Sequence, residues 1–74
     1  MTLGELKIGE KAIIKSFNND KLALRLLEMG CLPGEEVIIK STTPMGDPII
    51  IELNAGLYAL RLENANEIEV MPCL

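Results

Sequence analysis

The chain contains no histidine and no tryptophan, and its 74 residues include only one phenylalanine, one tyrosine and two cysteines. Without histidine the commonest general base is missing, and no side chain can activate a nucleophile in the usual hydrolase arrangement. Carboxylates are plentiful, but the alternation expected of strands places most of them on solvent-facing positions. We therefore predict that the chain is not an enzyme and that it has no catalytic or cofactor-binding residues.

Clusters of basic residues and long apolar runs are also missing. Seven basic and eleven acidic residues give a formal net charge of −4, whereas binding to a phosphate backbone requires a clustered positive surface. No apolar run approaches the roughly 20 residues that span a bilayer, and Met1–Glu5 lacks the pattern of a signal peptide. These absences predict a cytoplasmic protein that binds no nucleic acid and does not insert directly into a membrane.

The two cysteines, Cys31 and Cys73, are too few for a disulfide framework. We expect both to be reduced thiols, as is usual in the cytosol. A structural metal site needs about four ligands, and two cysteines without any imidazole do not provide them. The residues therefore predict no metal site within one chain, although a site shared between chains remains open.

The residues that are present indicate a single globular domain over residues 1–74. Apolar residues make up 49% of the chain and charged residues 24%, and the mean hydropathy is +0.28. Because aromatic residues are so few, the core must consist of leucine, isoleucine and valine. A chain this short is close to the lower size limit for a stable core. Any apolar surface left uncovered would favour a partner or self-association.

An amphipathic helix is predicted from Asp20 to Met29, with Asn18–Asp20 supplying turn and capping side chains. Gly30 fits a left-handed helix cap, and Pro33–Gly34 suits the centre of a type II turn. The helix divides into a polar stripe and an apolar stripe at spacings of three and four residues. The polar stripe is Lys21, Arg25 and Glu28, and the apolar stripe is Leu22, Leu26 and Met29, flanked by Ala23 and Leu27.

Short β-rich segments separated by turn residues fill the rest of the chain. Leu3, Leu6 and Ile8 are expected to pack against the body, Gly56 to adopt positive φ in a turn, and Glu63–Asn66 to form one helical turn. The pattern predicts a mostly β fold with one inserted α-helix, in the form of a small closed or partly open barrel. The five predicted strands are Lys11–Phe17, Glu36–Ser41, Ile49–Leu53, Leu57–Leu62 and Glu67–Met71.

The order of these features resembles the FeoA family of ferrous iron transport accessory proteins. The segments that carry the resemblance are Leu26–Gly30, Pro33–Gly34, Pro44–Pro48, Ala59–Ala65 and Ile68–Val70. The resemblance implies an SH3-like small β-barrel. It also implies an accessory role in the cytoplasm, where the protein would bind and modulate a membrane transporter of ferrous iron that carries a GTPase domain. Such a protein could lie peripherally at the inner face of the membrane through its partner.

The residues predicted to bind that partner are Pro44, Met45, Asp47 and Arg61. Pro44, Met45 and Asp47 lie in an apolar-tipped loop, and methionine adapts well to interfaces. Arg61 is the one basic residue in an otherwise apolar strand. It either pairs with a carboxylate within the barrel or faces a partner, where arginine is enriched.

Two further alternatives stay open at this point. Ile38, Ile50 and Leu57 form either an exposed apolar strip or part of the core. The function could also be that of a metal-binding or metal-sensing module, in which a dimer binds metal through Cys31, Cys73 and carboxylates.

Overall fold

The computed structural model describes residues 1–73, and this part of the chain contains five strands, two helices and a short 3₁₀ turn. The 3₁₀ turn covers Leu3–Glu5. In chain order the elements that follow are β1 (Lys11–Phe17), α1 (Asp20–Glu28), β2 (Glu36–Thr42), β3 (Ile49–Leu53), β4 (Gly56–Leu60), α2 (Leu62–Ala65) and β5 (Ile68–Pro72).

The strands form one antiparallel sheet in the order β4-β3-β2-β1-β5. Pairing shifts by one residue between Ile14 and Ser16 of β1 and between Ile39 and Ser41 of β2. Such bulges bend strands and strengthen their twist. In the described residues β4 and β5 remain unpaired with each other, so the barrel is partly open. The prediction of a mostly β fold with one inserted helix is confirmed.

The core lies on the inner face of this curved sheet, beneath α1. In β3 every second residue is buried, as the period of two in a strand requires. The buried residues are aliphatic with one thiol, in agreement with the scarcity of aromatic residues. They are Leu3, Ala12, Ile14, Leu22, Leu26, Cys31, Val37, Ile39, Ile49, Ile51, Leu53, Leu60, Ala65, Ile68 and Val70.

Helix α1 begins and ends with the capping chemistry predicted from its sequence. The side-chain oxygen of Asn19 accepts hydrogen bonds from the backbone N–H groups of Lys21 and Leu22 at 3.0 and 3.1 Å. At the other end Gly30 has φ +78°, and its N–H donates to the carbonyl of Leu27. The N–H of Cys31 reaches back to the carbonyl of Leu26 at 2.9 Å, which completes a Schellman motif.

The turn after the helix also agrees with the prediction. The N–H of Glu35 donates to the carbonyl of Leu32 at 3.1 Å, and Gly34 has φ +96°. Proline followed by a residue with positive φ is typical of a type II turn. This turn directs the chain from α1 into β2.

The hairpin between β3 and β4 differs from the prediction. The residues with positive φ are Asn54 (φ +51°) and Ala55 (φ +66°), while Gly56 already belongs to β4. Two consecutive residues with positive φ make a type I′ turn, whose twist matches that of the flanking strands. A Cβ on Gly56 would lie 3.0 Å from the hydroxyl of Tyr58. A side chain at position 56 would therefore press against Tyr58, which would have to shift by a few tenths of an ångström.

Other differences are small and concern the ends of elements. β4 stops at Leu60, because Arg61 turns the chain into α2, which starts one residue earlier than predicted. β2 extends to Thr42, β5 is displaced by one residue toward the C-terminus, and Glu28 ends α1. Leu3 is buried and Leu6 half-buried as expected, but Ile8 is exposed.

Candidate partner-binding surface

The predicted surface residues meet where the loop between β2 and β3 contacts the start of α2. Asp47 lies in that loop, and one oxygen of its carboxylate (Oδ1) accepts a hydrogen bond from the backbone N–H of Leu62 at 2.9 Å. The other oxygen (Oδ2) lies 3.4 Å from Nη2 of Arg61. Since Leu62 is the first residue of α2, Asp47 caps that helix from a distant part of the chain.

This arrangement shows the internal pairing that was one of the two alternatives for Arg61. The side chain pairs with a carboxylate inside the protein, as the first alternative proposed. The Arg61 side chain nevertheless remains 64% exposed, whereas that of Asp47 is 33% exposed. An exposed pair of this kind contributes little to stability, and its guanidinium is still accessible from solvent.

Met45 lies at the tip of the same loop. The N–H of Gly46 donates to the carbonyl of Thr43 at 2.8 Å, which closes a tight turn through Pro44 and Met45. Gly46 has φ +80°, a conformation that glycine adopts without strain. The turn holds Met45 out into solvent, where 92% of the residue is exposed. The four predicted residues thus belong to one continuous surface feature, which we call the Met45 loop (Thr43–Pro48 with Arg61).

A second surface feature is an open apolar groove beside α1, with a volume of about 370 Å³. Leu24 and Leu27 on the outer face of the helix are 62% and 53% exposed. Among the described residues that line the groove, Asp20 is the one with a charge. The α1 groove is lined by Phe17, Asp20, Ala23, Leu24, Leu27, Leu32 and Pro33.

This groove was not predicted from the sequence, because only one apolar stripe was assigned to α1. Leu27 was placed beside the buried stripe, but the structure leaves it exposed, and Leu24 had no assignment. At 100° per residue, Leu24 and Leu27 lie on a second apolar stripe, roughly opposite Leu22 and Leu26. Their spacing of three residues was the signal in the sequence. Only the tertiary structure shows that no element in the described part of the chain covers these two side chains.

The apolar strip on the sheet is also partly exposed. Leu57 is 63% exposed, while Ile38 and Ile50 are half-buried. These side chains lie on the outer face of β2, β3 and β4, next to an ion pair between Lys40 and Glu52 at 3.9 Å. The alternative of core packing is therefore wrong for Leu57.

The cysteines do not come together as a metal site. Cys31 is buried under α1 and Cys73 is exposed, and both are free thiols. Burial, together with the nearby charge of Glu35, raises the pKa of the Cys31 thiol to about 11, so the thiolate that a metal would need is disfavoured. Within residues 1–73 no cluster of three or more cysteine, aspartate or glutamate side chains could hold a metal ion. The alternative metal module gains no support from this arrangement.

Among the described helices, none has the length and apolar character needed to cross a membrane.

Comparison with known proteins identifies the fold and the family. A FeoA domain matches residues 1–72. The chain belongs to the FeoA family. The family resemblance seen in the sequence is thus confirmed, and this FeoA protein is an accessory protein of ferrous iron transport.

Individual relatives agree with this assignment. This FeoA chain is 38% identical to Fe(2+) transport protein A of Campylobacter jejuni over 71 residues, which cover 95% of this chain and 96% of the relative. It superimposes with a TM-score of 0.81 on FeoA of Stenotrophomonas maltophilia, an SH3-domain protein solved in complex with zinc. The two sequences are 35% identical, and the match covers 95% of this chain and 88% of the Stenotrophomonas maltophilia chain. The predicted SH3-like fold is confirmed.

A third relative joins two proteins in one polypeptide. In Porphyromonas gingivalis a fusion protein combines Fe(2+) transport protein A with the Fe(2+) transporter FeoB. This FeoA chain is 32% identical to it over 71 residues, which are 95% of this chain and 8% of the fusion protein. The FeoA domain of that protein is therefore held next to a transporter by the covalent chain.

Proposed function

We propose that this protein binds the cytoplasmic side of a FeoB-type ferrous iron transporter, which carries a GTPase domain, and modulates its activity or assembly. The observation that carries the proposal is the fused relative, in which a domain 32% identical to this chain is part of the transporter polypeptide. A domain that acts on a transporter when fused to it can also act as a separate chain if its affinity for the transporter is high enough. This role places the protein peripherally at the membrane through its partner.

The Met45 loop is the surface that we propose for this contact. Met45 is almost fully exposed on a turn closed by an internal hydrogen bond, so little conformational entropy is lost when the loop binds. Arg61 is anchored to Asp47 and still accessible. A preorganised apolar tip beside an accessible guanidinium matches the residue types that dominate binding energies in interfaces.

The function is tested by calorimetric titration of the protein into its own full-length transporter, with a GTP analogue and with GDP. We expect saturable binding, and a difference between the two nucleotides would show which state is recognised. Lack of binding up to high micromolar concentrations would contradict the proposed function.

The surface is tested separately with the Met45→Ala variant. Met45 makes few contacts within the fold, so we expect the variant to fold normally and to bind the transporter about tenfold more weakly. Met71→Ala is the matched control, because Met71 is also exposed but lies on β5. Leu24→Gln probes the α1 groove. If Leu24→Gln abolishes binding and Met45→Ala does not, the function stands and the contact surface moves to the groove.

Charge reversal at Arg61 is a less suitable probe. A glutamate at this position would face the carboxylate of Asp47, because the two side chains are in contact. Repulsion between like charges would disturb the loop itself. Arg61→Ala removes the guanidinium without that effect and is the better variant for the binding assay.

A further inference from the structure

One edge of the sheet is covered by the chain itself, and the other is open. At the covered edge, Thr2 forms a β-bridge with Glu69, and the N–H of Val70 donates to the carbonyl of Met1 at 2.9 Å. At the other edge, β3 is the one strand of the described residues 1–73 that pairs with β4. Within residues 1–73, no backbone hydrogen bond joins Gly56–Leu60 to any segment beyond that hairpin.

The register of the hairpin shows which backbone groups of β4 are free. A two-residue type I′ turn is flanked by a hydrogen-bonded pair, which here is Leu53 and Gly56. Hydrogen-bonded and non-hydrogen-bonded pairs alternate along antiparallel strands. Tyr58 and Leu60 therefore bond to β3, while the N–H and C=O groups of Leu57 and Ala59 point away from the sheet.

The open edge also lacks the features that usually prevent strands from pairing with other chains. Edge strands are commonly protected by charged side chains, proline or a β-bulge. β4 has the sequence Gly-Leu-Tyr-Ala-Leu, without charge or proline, and its pairing with β3 has no register shift. Leu57 adds an exposed apolar side chain on this edge.

We propose that β4 pairs antiparallel with β4 of a second copy of this chain, centred on Tyr58. In that register Leu57 lies opposite Ala59 of the second copy, and Ala59 lies opposite Leu57 of the second copy. Both pairs use the free groups, so four N–H···O=C bonds form across a twofold axis. The two sheets become one continuous sheet. This inference rests on the open edge and is independent of the proposed transporter contact.

Charge and shape favour a second copy as the occupant. The strand is uncharged, so self-pairing brings no like charges opposite each other within β4, although each chain carries a net charge of −4. In the proposed register Arg61 lies opposite Ala55 of the second copy, outside the paired residues. The exposed strip of Ile38, Ile50 and Leu57 continues across the axis into the same strip of the second copy. The contact is short, so the dimer is weak and reversible, as is typical of small interfaces.

The association is tested by sedimentation equilibrium from about 10 µM to 1 mM, at physiological salt so that the net charge is screened. We expect the average mass of the wild type to rise toward that of a dimer with concentration. The Ala59→Pro variant removes an N–H that points away from β3, so the hairpin keeps its own hydrogen bonds. We expect this variant to remain monomeric over the same range.

Cysteine cross-linking tests the register without relying on proline. In a Cys73→Ser background, the Leu57→Cys and Ala59→Cys variants are oxidised separately and as a mixture. Opposite residues of a hydrogen-bonded pair have Cα atoms about 5.5 Å apart, within the range of a disulfide. The mixture should therefore form a disulfide-linked heterodimer at least tenfold faster than either variant alone. Ser16→Cys is the control, since Ser16 is exposed on an inner strand.

Four results would overturn the proposal. The first is a wild type that stays monomeric at 1 mM. The second is a dimer that persists in Ala59→Pro. If that dimer is lost in Leu24→Gln, the interface lies at the α1 groove. The third is cross-linking in the mixture no faster than in the separate variants. The fourth is a shift of the amide signals of Leu57 and Ala59 only when the transporter is added, because the edge would then bind a foreign strand and not a second copy.

Discussion

Asp47 has two structural roles, and two substitutions can separate them. Its carboxylate accepts the hydrogen bond from the N–H of Leu62 and also pairs with Arg61. The Asp47→Asn variant keeps a side-chain oxygen for the hydrogen bond and loses only the charge. The Asp47→Ala variant loses both interactions. Arg61→Ala removes the ion pair from the other side and leaves the hydrogen bond.

The structure predicts that the hydrogen bond contributes more than the ion pair. The pair is solvent-exposed, with the Arg61 side chain 64% accessible, and such pairs are worth about 0–1 kcal/mol. The hydrogen bond has a charged acceptor and a partly buried donor, and losing it costs about 1–2 kcal/mol. We therefore expect Asp47→Ala to destabilise the protein by about 2 kcal/mol. Asp47→Asn and Arg61→Ala should each cost about 0.5 kcal/mol.

Urea unfolding followed by circular dichroism measures these differences, with the single tyrosine, Tyr58, as a fluorescence probe. The free energy of unfolding should fall with urea concentration at the same slope in all variants, because they expose the same surface area when they unfold. In a domain of this size, Asp47→Ala should lower Tm by about 10 °C and the other two by about 2–4 °C.

An Asp47→Asn variant as unstable as Asp47→Ala would contradict this prediction. That result would mean that the charge, rather than the acceptor oxygen, holds the loop. A loss in Arg61→Ala above about 1 kcal/mol would point to the same conclusion. The double variant Asp47→Asn with Arg61→Ala then gives the coupling energy of the pair directly.

Three further predictions concern the β3–β4 turn and the thiols. Ala55 has φ +66°, a conformation that glycine adopts without strain. We therefore expect Ala55→Gly to raise the free energy of unfolding, measured in urea, by about 0.5–1 kcal/mol. An unchanged or lower free energy of unfolding would contradict the turn geometry. Cys73 is exposed and Cys31 is buried. Under native conditions a thiol reagent should therefore label Cys73 rapidly and Cys31 only when the protein unfolds. Equal labelling rates for the two thiols would contradict the packing. Because the folded protein holds the Cys31 proton more tightly than the unfolded chain, with a pKa of about 11 against 9.0, stability should fall as pH rises from about 9 to 11, and less steeply in Cys31→Ala.

The sequence was most informative where local chemistry alone determines the backbone. A cap among Asn18–Asp20, the glycine stop at Gly30 and the turn at Pro33–Gly34 were predicted, and all three are present, with Asn19 as the capping residue. Each depends on residues within one turn of the chain, so no distant contact is needed to specify it. The five strands were recognised for the same reason, through their alternation of apolar and polar residues.

The predicted surface residues show how far local reasoning extends. The sequence placed Pro44, Met45 and Asp47 in one loop and identified Arg61 as unusual in its segment. It left open whether Arg61 pairs internally, because that depends on bringing together residues 14 positions apart in the chain. The exposure of Leu24 and Leu27 was missed for a related reason. An apolar stripe on a helix predicts that another element packs against it, but the stripe alone does not show whether the fold places an element there.

Local conformational preferences along the chain were enough to predict the order of elements and to place Pro44, Met45 and Asp47 in one loop, while the order of the motifs carried the resemblance to the FeoA family. Contacts between distant segments were needed to show that Asp47 caps α2, that Cys31 is buried while Cys73 is exposed, and that β4 is an unpaired edge within residues 1–73. The physical reason is that these properties depend on which distant segments come into contact. A pattern along the chain fixes the faces of each element, but only the packing of all elements determines which faces and edges remain free.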